Sequence, residues 1–319
     1  MLEPIPKAVD IEIKDSFVER YKELLGKDYD KFMKYSFSYI RKTIRVNTLK
    51  TTVAKIKKSM SKDWKLTAVP WCKEGFWIEY KVGKRFDIGN TPEHQLGHIY
   101  VQDAASMIPA IVLDPKPGER VLDMCAAPGS KTTQIAQYMN NKGVLVANDS
   151  NGKRLSALGI NMQRCGVSNT IITHQQGSYY RKLEFDKILV DAPCSATGTI
   201  RRSMKSLAMW SPGLVRKMCS IQKPLIEAGF MGLKKGGTMV YSTCTQEPSE
   251  NEGMVSWLLS RHPDVKLEEI KLDIKKNKPI MEFEGEKFNP EVKKCLRIYP
   301  FDNDTEGFFI AKIKKLQKS

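Results

Sequence analysis

The chain has 319 residues, 41% of them hydrophobic and five of them tryptophan, which excludes a disordered chain and allows a large core in one or two domains. Lys and Arg outnumber Asp and Glu by 52 to 36, and the net charge of +16 is spread along the chain rather than gathered in a tail, so a polyanionic partner, most simply nucleic acid, is favoured. The seven cysteines form no C-x-x-C pair and have no His doublet nearby, so neither a disulfide framework nor a zinc site is supported. With a start that carries Glu3, Pro4, Pro6 and Lys7 instead of an apolar signal core, they point to a reducing cytoplasm, and no apolar run reaches membrane-spanning length.

Taken in order, Asp15 can cap a helix in which Phe17, Val18, Tyr21, Leu24 and Leu25 recur at helical spacing until Gly26. A second short helix is expected over Tyr29 to Tyr35. From Thr43 the pattern changes to I-R-V-N, then to a Lys-rich helix from Thr52 to about Lys62, then to aromatic strands at Leu66 to Val69 and Phe76 to Tyr80. This reads as a small basic α+β unit holding Trp64, Trp71 and Trp77, rings that can either stack on bases or fill a small core. Tyr100 to Leu113 reads as a strand end followed by an apolar helix. The boundary is placed just before it, giving an N-terminal region 1–99 and a catalytic domain 100–319.

From Arg120 onward strands and helices alternate: R-V-L-D-M, a helix Lys131 to Met139, V-L-V-A-N-D, a helix Lys153 to Cys165, T-I-I-T, F-D-K-I-L-V-D, a helix Pro212 to Leu233, and T-M-V-Y-S. Such alternation predicts an α/β fold with a mostly parallel sheet and ligands at the carboxyl ends of its strands. Four strand ends carry chemistry. The first, D-M-C-A-A-P-G-S-K-T, places the small residues Ala126, Ala127 and Gly129 before a helix start, where backbone can approach a ligand and the helix end favours a carboxylate or phosphate. It has neither G-x-G-x-x-G nor Walker A spacing, which disfavours a dinucleotide or ATP. The second ends in Asp149, an acid suited to ribose hydroxyls or to capping a helix. The third and fourth, D-A-P-C at 191–194 and Y-S-T-C-T at 241–245, should direct two cysteines into one crevice. Cys72, Cys165 and Cys219 read as small apolar residues of the core.

These residues carry a family resemblance. D-M-C-A-A-P-G-S-K-T-T-Q, A-N-D, D-A-P-C-S-x-x-G-T-I-R, V-Y-S-T-C-T-x-x-P-x-E-N-E, L-R-I-Y-P and T-E-G-F-F-I-A-K-I are similar to motifs of the RNA cytosine-5 methyltransferases of the NOL1/NOP2/Sun family, especially its compact archaeal tRNA enzymes. The likeness extends from about Ile44 to Lys315. It implies a Rossmann-like class I methyltransferase sheet with a small N-terminal RNA-binding region, S-adenosyl-L-methionine as methyl donor and cytosine in RNA, chiefly tRNA, as acceptor. It further implies that Cys125, Ala126, Ala127, Pro128, Gly129, Ser130 and Lys131 wrap the methionine part of the cofactor and that Asp149 takes the ribose hydroxyls. Asp191 would lie between cofactor and base, Cys244 would be the nucleophile, and Cys194 would help release the product.

The chemistry agrees with needing two thiols. Cytosine C5 is a weak nucleophile until a thiolate adds to C6, and the C5 proton must leave before that bond can break. Where the family usually carries an acid near the adenine amine and an Arg two residues on, this chain has Gln176 and Ser178, so weaker cofactor binding is expected. Arg154 reads either as a support of the cofactor site or as a solvated helix charge, Lys131 is a candidate for lowering the pKa of Cys244, and His174 reads as a packed or capping residue. For RNA, Arg45, Asn47, Arg201 and Arg202 are candidate contacts, and Trp210 is a stacking platform or a core ring. The stretch from His262 to Lys294 reads as an irregular insertion, followed by a closing strand G-F-F-I-A-K-I. A monomeric enzyme is expected, with a ribosomal RNA or DNA substrate, or a member that binds RNA with little methyl transfer, as the alternatives.

Overall fold

The computed structural model describes residues 2–6, 11–83 and 87–317; Lys7 and the last two residues of the tail lie outside the described residues. By contact the chain divides into two compact units, one made of residues 1–40, 192–227 and 241–319 and the other of residues 41–191 and 228–240. The chain therefore changes unit four times, at Ile40–Arg41, Asp191–Ala192, Glu227–Ala228 and Val240–Tyr241. Among the described residues no helix is long and apolar enough to cross a membrane.

The unit that begins at Arg41 opens with an antiparallel sheet of β1 (Thr43–Val46), β2 (Trp64–Val69), β3 (Cys72–Tyr80) and β4 (Ile99–Val101), in the order β2-β3-β1-β4. Its buried face sets Ile44, Val46, Phe76, Ile78 and Ile99 against Ile56 and Met60 of a helix at Val53–Met60, which starts where the Thr52 hydroxyl accepts the Lys55 N–H at 3.3 Å. The three tryptophans here are core rings, which corrects the stacking alternative. Trp64, Trp71 and Trp77 are all buried, Trp71 and Trp77 meet edge to face at 5.7 Å, and the Trp71 indole donates to the Ala104 carbonyl at 2.9 Å. A four-stranded sheet covered by one short helix has few residues to fill its interior, and large rings do so.

The remainder of this unit holds β5 (Arg120–Asp123), β6 (Val144–Asn148), β7 (Thr170–Thr173), β8 (Phe185–Asp191) and the first part of β9 (Leu233–Thr243), in the order β9-β8-β5-β6-β7. β5 pairs in parallel with β6 and β8, and β6 with β7, so the chain returns over the sheet through helices at Ser130–Tyr138 and Gly152–Cys165. The central strands are continuous apolar runs, Val121–Leu122 and Ile188–Val190, each fully buried. Gly229 lets the long helix Pro212–Met231 lie against them, since a Cβ there would stand 2.7 Å from Met239 Sδ and 2.9 Å from Val190 Cγ2. Strand order reverses between β5 and β8, whose ends are Asp123 and Asp191, and ligands of such sheets bind at this switch point.

The other unit carries the helices Asp15–Leu25 and Tyr29–Ser36, the first part of Pro212–Met231, the helix Glu252–Arg261, and the strands β10 (Val265–Glu268), β11 (Glu282–Phe283), β12 (Glu286–Lys287), β13 (Leu296–Ile298) and β14 (Phe308–Lys315). β14 pairs antiparallel with β10 and β13, and β11 with β12 forms a hairpin. Asp15 turns out to be the first helical residue; Lys14 occupies the cap position without a side-chain bond, so Asp15 acts on the first-turn amides through its charge. Part of 262–294 is regular rather than irregular. V-K-L-E alternates so that Val265 and Leu267 are buried, and the Lys and Glu between them conceal the strand in a charged stretch.

Candidate active site

The cofactor-type turn follows β5. Ala126 N–H donates to the Asn148 carbonyl at 2.7 Å and Ala127 N–H to Asp149 Oδ2 at 3.2 Å, so the turn is tied to the end of β6 by backbone and acid together. The Ala127–Pro128 peptide is cis, and the Pro128 carbonyl accepts from the Asn161 amide at 2.9 Å. Gly129 stands at φ +106, where a Cβ would lie 2.8 Å from Met162 Cε and 3.0 Å from Leu158 Cδ1, so both conformation and space require glycine before the helix that starts at Ser130. Burial raises the Cys125 thiol pKa far above the ordinary thiol range and keeps it protonated.

Charges pair along this edge. Asp149 takes the Asn151 N–H on Oδ1 at 2.9 Å, and its Oδ2 lies 3.3 Å from Arg154, which also bonds the Ala127 carbonyl. Lys131 Nζ lies 2.8 Å from Asp191 Oδ2. Asp123 accepts the Thr132 hydroxyl at 2.7 Å, while its Oδ1 is buried without a partner. Burial pushes this carboxyl up to about 7 against the pull of the Thr132 bond. Gln176 is exposed at the head of the turn Gly177–Lys182 and makes no side-chain cap bond there. His174 bonds the Ser150 carbonyl through Nε2 at 3.1 Å, a capping contact.

The two cysteines come together: Cys194 Sγ and Cys244 Sγ are 3.4 Å apart. They are free thiols, and the hydrogen bond to the Cys244 sulfur, helped by burial, raises the Cys194 pKa well above the thiol range. Cys194 therefore keeps its proton, and either thiol can be the donor in this contact. The turns that carry them are joined by backbone: Ala192 N–H donates to Ser242 O at 2.9 Å and Gly198 N–H to Cys244 O at 2.9 Å.

Four polar residues after Cys244, Glu247, Glu250, Asn251 and Glu252, hold the surrounding segments. Glu247 accepts from the Trp210 indole and from Arg20, both at 2.8 Å. Glu250 accepts from Ser195 and Gln222, and Asn251 accepts from the Thr243 hydroxyl at 2.5 Å and donates to the Thr245 carbonyl at 3.0 Å. Glu252 forms a fully buried pair with Arg297 of L-R-I-Y-P at 2.5 Å. Sequence reasoning quoted this run but assigned its acids no part. The available signal was four polar residues between an apolar strand and a helix, too many for one cap.

Four of the five proposed RNA contacts are instead buried in protein hydrogen bonds. Arg45 bonds the Ser130 carbonyl and the Thr133 hydroxyl, each at 2.8 Å, and also Gln102; Asn47 donates to the Gly97 and Cys165 carbonyls, each at 2.8 Å. Arg201 holds the Tyr39 carbonyl at 2.6 Å and Asp304 at 2.8 Å, and Trp210 is a fully buried ring edge-on to Phe17. Each sits where backbone carbonyls or a carboxylate would otherwise lack donors, and that need outweighs exposure to a ligand. Arg202 remains exposed, 3.3 Å from Glu306.

Comparisons with known proteins agree with this arrangement. The profile described as 16S rRNA methyltransferase RsmB/F matches residues 110–314, and that of the N-terminal domain of 16S rRNA methyltransferase RsmF matches residues 13–104. A tRNA (cytosine(49)-C(5))-methyltransferase of Pyrococcus abyssi is 47% identical over 95% of this chain and 97% of its own length. The ribosomal RNA small subunit methyltransferase F of Photobacterium profundum is 42% identical over 95% of this chain, which spans only 64% of that relative. A solved structure of a methyltransferase homologue from Pyrococcus horikoshii superposes with a TM-score of 0.83 at 39% identity, covering 98% of this chain and 100% of that one. The chain belongs to the RsmB/F family of RNA methyltransferases.

Proposed function

We propose that the protein transfers a methyl group from S-adenosyl-L-methionine to C5 of cytosine in tRNA, with Cys244 as nucleophile. The observation that carries this is the thiol pair at 3.4 Å in which one member is held protonated. A thiol that donates toward a second sulfur stabilises that sulfur as a thiolate, which is what addition to C6 requires. The Pyrococcus abyssi relative, named for tRNA, is 47% identical against 42% for the Photobacterium relative named for ribosomal RNA, which favours tRNA.

The residues of the β5 and β6 ends suit the cofactor. Asp149 offers acceptors for a ribose diol, the amide end at Ser130 suits a carboxylate, and the unpartnered Asp123 Oδ1 suits an ammonium. When bound, the cofactor supplies an electrophilic methyl group. Cys244 forms a bond to C6, and the ring's electron pair is thereby placed on C5 for methyl transfer. Asp191, poised by Lys131, accepts from the exocyclic amine and from N3, which takes up a proton from solvent as C6 is attacked. The C5 and N3 protons then pass to solvent, the C5–H electron pair re-forms the C5–C6 double bond, the Cys244–C6 pair returns to sulfur, and Cys194 assists by donating toward that thiolate. Arg202, together with Arg216 and Lys223 on a cavity of about 420 Å³, supplies contacts for phosphates in place of the buried Arg45 and Arg201. We read the enzyme as monomeric and cytoplasmic, a compartment that keeps such thiols reduced.

A labelled-methyl assay on tRNA, ribosomal RNA and DNA tests the reading. Label is expected in tRNA as 5-methylcytidine; label confined to ribosomal RNA or DNA, or at another atom, would overturn it.

A further inference from the structure

Glu250 takes no part in the chemistry above, yet it is fully buried and receives three donors. They are the Ser195 hydroxyl at 2.5 Å, the Ser195 N–H at 3.1 Å and the Gln222 amide at 2.7 Å. The same Gln222 nitrogen lies 2.8 Å from the Pro193 carbonyl. Thus Glu250 holds Ser195 directly and Pro193 through Gln222, the two neighbours of Cys194.

A run of hydroxyls ends on this carboxyl. Tyr21 donates to Thr197 Oγ1 at 2.6 Å, and Gln246 N–H donates to the same oxygen at 2.9 Å, which directs the Thr197 proton onward to Thr245 Oγ1 at 3.0 Å. Thr245 Oγ1 lies 2.7 Å from Ser195 Oγ, and Ser195 donates to Glu250. With every hydroxyl pointing the same way, the last group must accept and have no proton of its own to give. A neutral carboxyl would set two protons against each other at Ser195.

We infer that Glu250 is a positioning residue for product release, its ionised carboxylate fixing both neighbours of Cys194 and so holding that thiol against the Cys244 sulfur. This rests on the functional reading above. The titratable groups that face Glu250 are Cys194, Cys219, Tyr21 and Glu247, and its own carbonyl accepts the Tyr241 hydroxyl at 2.7 Å. Burial pushes the Glu250 carboxyl up to about 7 in spite of its hydrogen bonds. The ionised form is therefore present above neutrality and lost as pH falls through that value.

Glu250→Gln keeps the shape and turns one acceptor into a donor. With a tRNA transcript and labelled S-adenosyl-L-methionine, it is expected to transfer a first methyl normally, to lose about ten-fold or more in turnover, and to accumulate a denaturant-resistant protein–RNA adduct. Wild-type turnover should fall between pH 8 and 6, and that dependence should vanish in the variant, with cofactor affinity unchanged by calorimetry. Ser195→Ala, which removes one donor and spares the carboxylate, should accumulate less adduct, keep the pH dependence, and decide the matter if Glu250→Gln shows no cooperative melt. Wild-type turnover without adduct overturns the inference, as does a uniform loss of methyl transfer and turnover. If the wild-type protein itself labels no RNA, the functional reading fails instead.

Discussion

Around Cys194 and Cys244 the polar groups are hydroxyls and amides that converge on one buried carboxyl, whereas around Asp149 and Asp191 the acids are met by cations, Arg154 at 3.3 Å and Lys131 at 2.8 Å. The two regions manage charge differently. Arg154 is half exposed and can leave Asp149 for solvent at little cost. Nothing of that kind is open to the hydroxyl run at Ser195, where every donor is buried and turning one misplaces the next. The cofactor edge is adaptable; the cysteine region is preorganised.

The sharpest break of this contrast is Cys244→Ala, which should reduce 5-methylcytidine formation by about 10³-fold or more while leaving cofactor affinity intact by calorimetry. Residual methylation near the wild-type level would remove the nucleophile from Cys244. Next, Cys194→Ala should permit a single methyl transfer and trap a denaturant-resistant protein–RNA species, lowering turnover by about 10²-fold. Normal release with no gel-shifted band would argue against the release role.

Asp149→Ala tests the adaptable side. It should weaken S-adenosyl-L-methionine by about 10- to 100-fold, the worth of one or two charge-assisted bonds, without trapping any adduct. Arg201→Ala should cost about 3 kcal/mol of stability, because it leaves Asp304 and the Ser38 and Tyr39 carbonyls without their donor, yet leave the salt dependence of RNA binding unchanged. A change in salt slope by about one ion would return Arg201 to the RNA surface.

The smallest effect is a pH dependence shared by both regions. Asp123 and Glu250 each have a folded pKa raised to about 7, so each favours the folded state fully below its unfolded value and loses that contribution as pH rises through about 7. Acidifying from pH 8 to 6 should therefore add about 1 kcal/mol per group, read as a higher melting temperature that Glu250→Gln halves. A melting temperature that falls over this interval would contradict both assignments.

Much of the parallel sheet was legible because its strands are uninterrupted apolar runs ending in an acid or cysteine, as in F-D-K-I-L-V-D and T-M-V-Y-S-T-C, and period and punctuation carry that information locally. The Sγ–Sγ approach of Cys194 and Cys244 was anticipated from neighbouring strand ends. Arg45, Arg201 and Trp210 were misplaced because a basic or aromatic residue next to a motif looks the same whether it meets solvent or fills an interior. Only tertiary structure shows that Ser130, Tyr39 and Glu247 await their donors. The strand β10 was hidden for the complementary reason, since its solvent-facing Lys and Glu dominate a four-residue window.

Gly198 gives its N–H to Cys244 and its carbonyl to the N–H of Gly307, each at 2.9 Å, and a Cβ on it would stand 2.4 Å from the Gly307 oxygen. Three segments more than forty residues apart thus meet at one point with no room for a side chain. During synthesis the turn that carries Cys194 emerges long before residue 307 exists, so the first two hundred residues cannot hold the cysteine turn in its final form. A chain that ends before residue 307 carries both thiols but lacks the Gly307 N–H that the Gly198 carbonyl accepts. The fold thereby ties the final form of the cysteine turn to a residue more than a hundred positions downstream of Cys194.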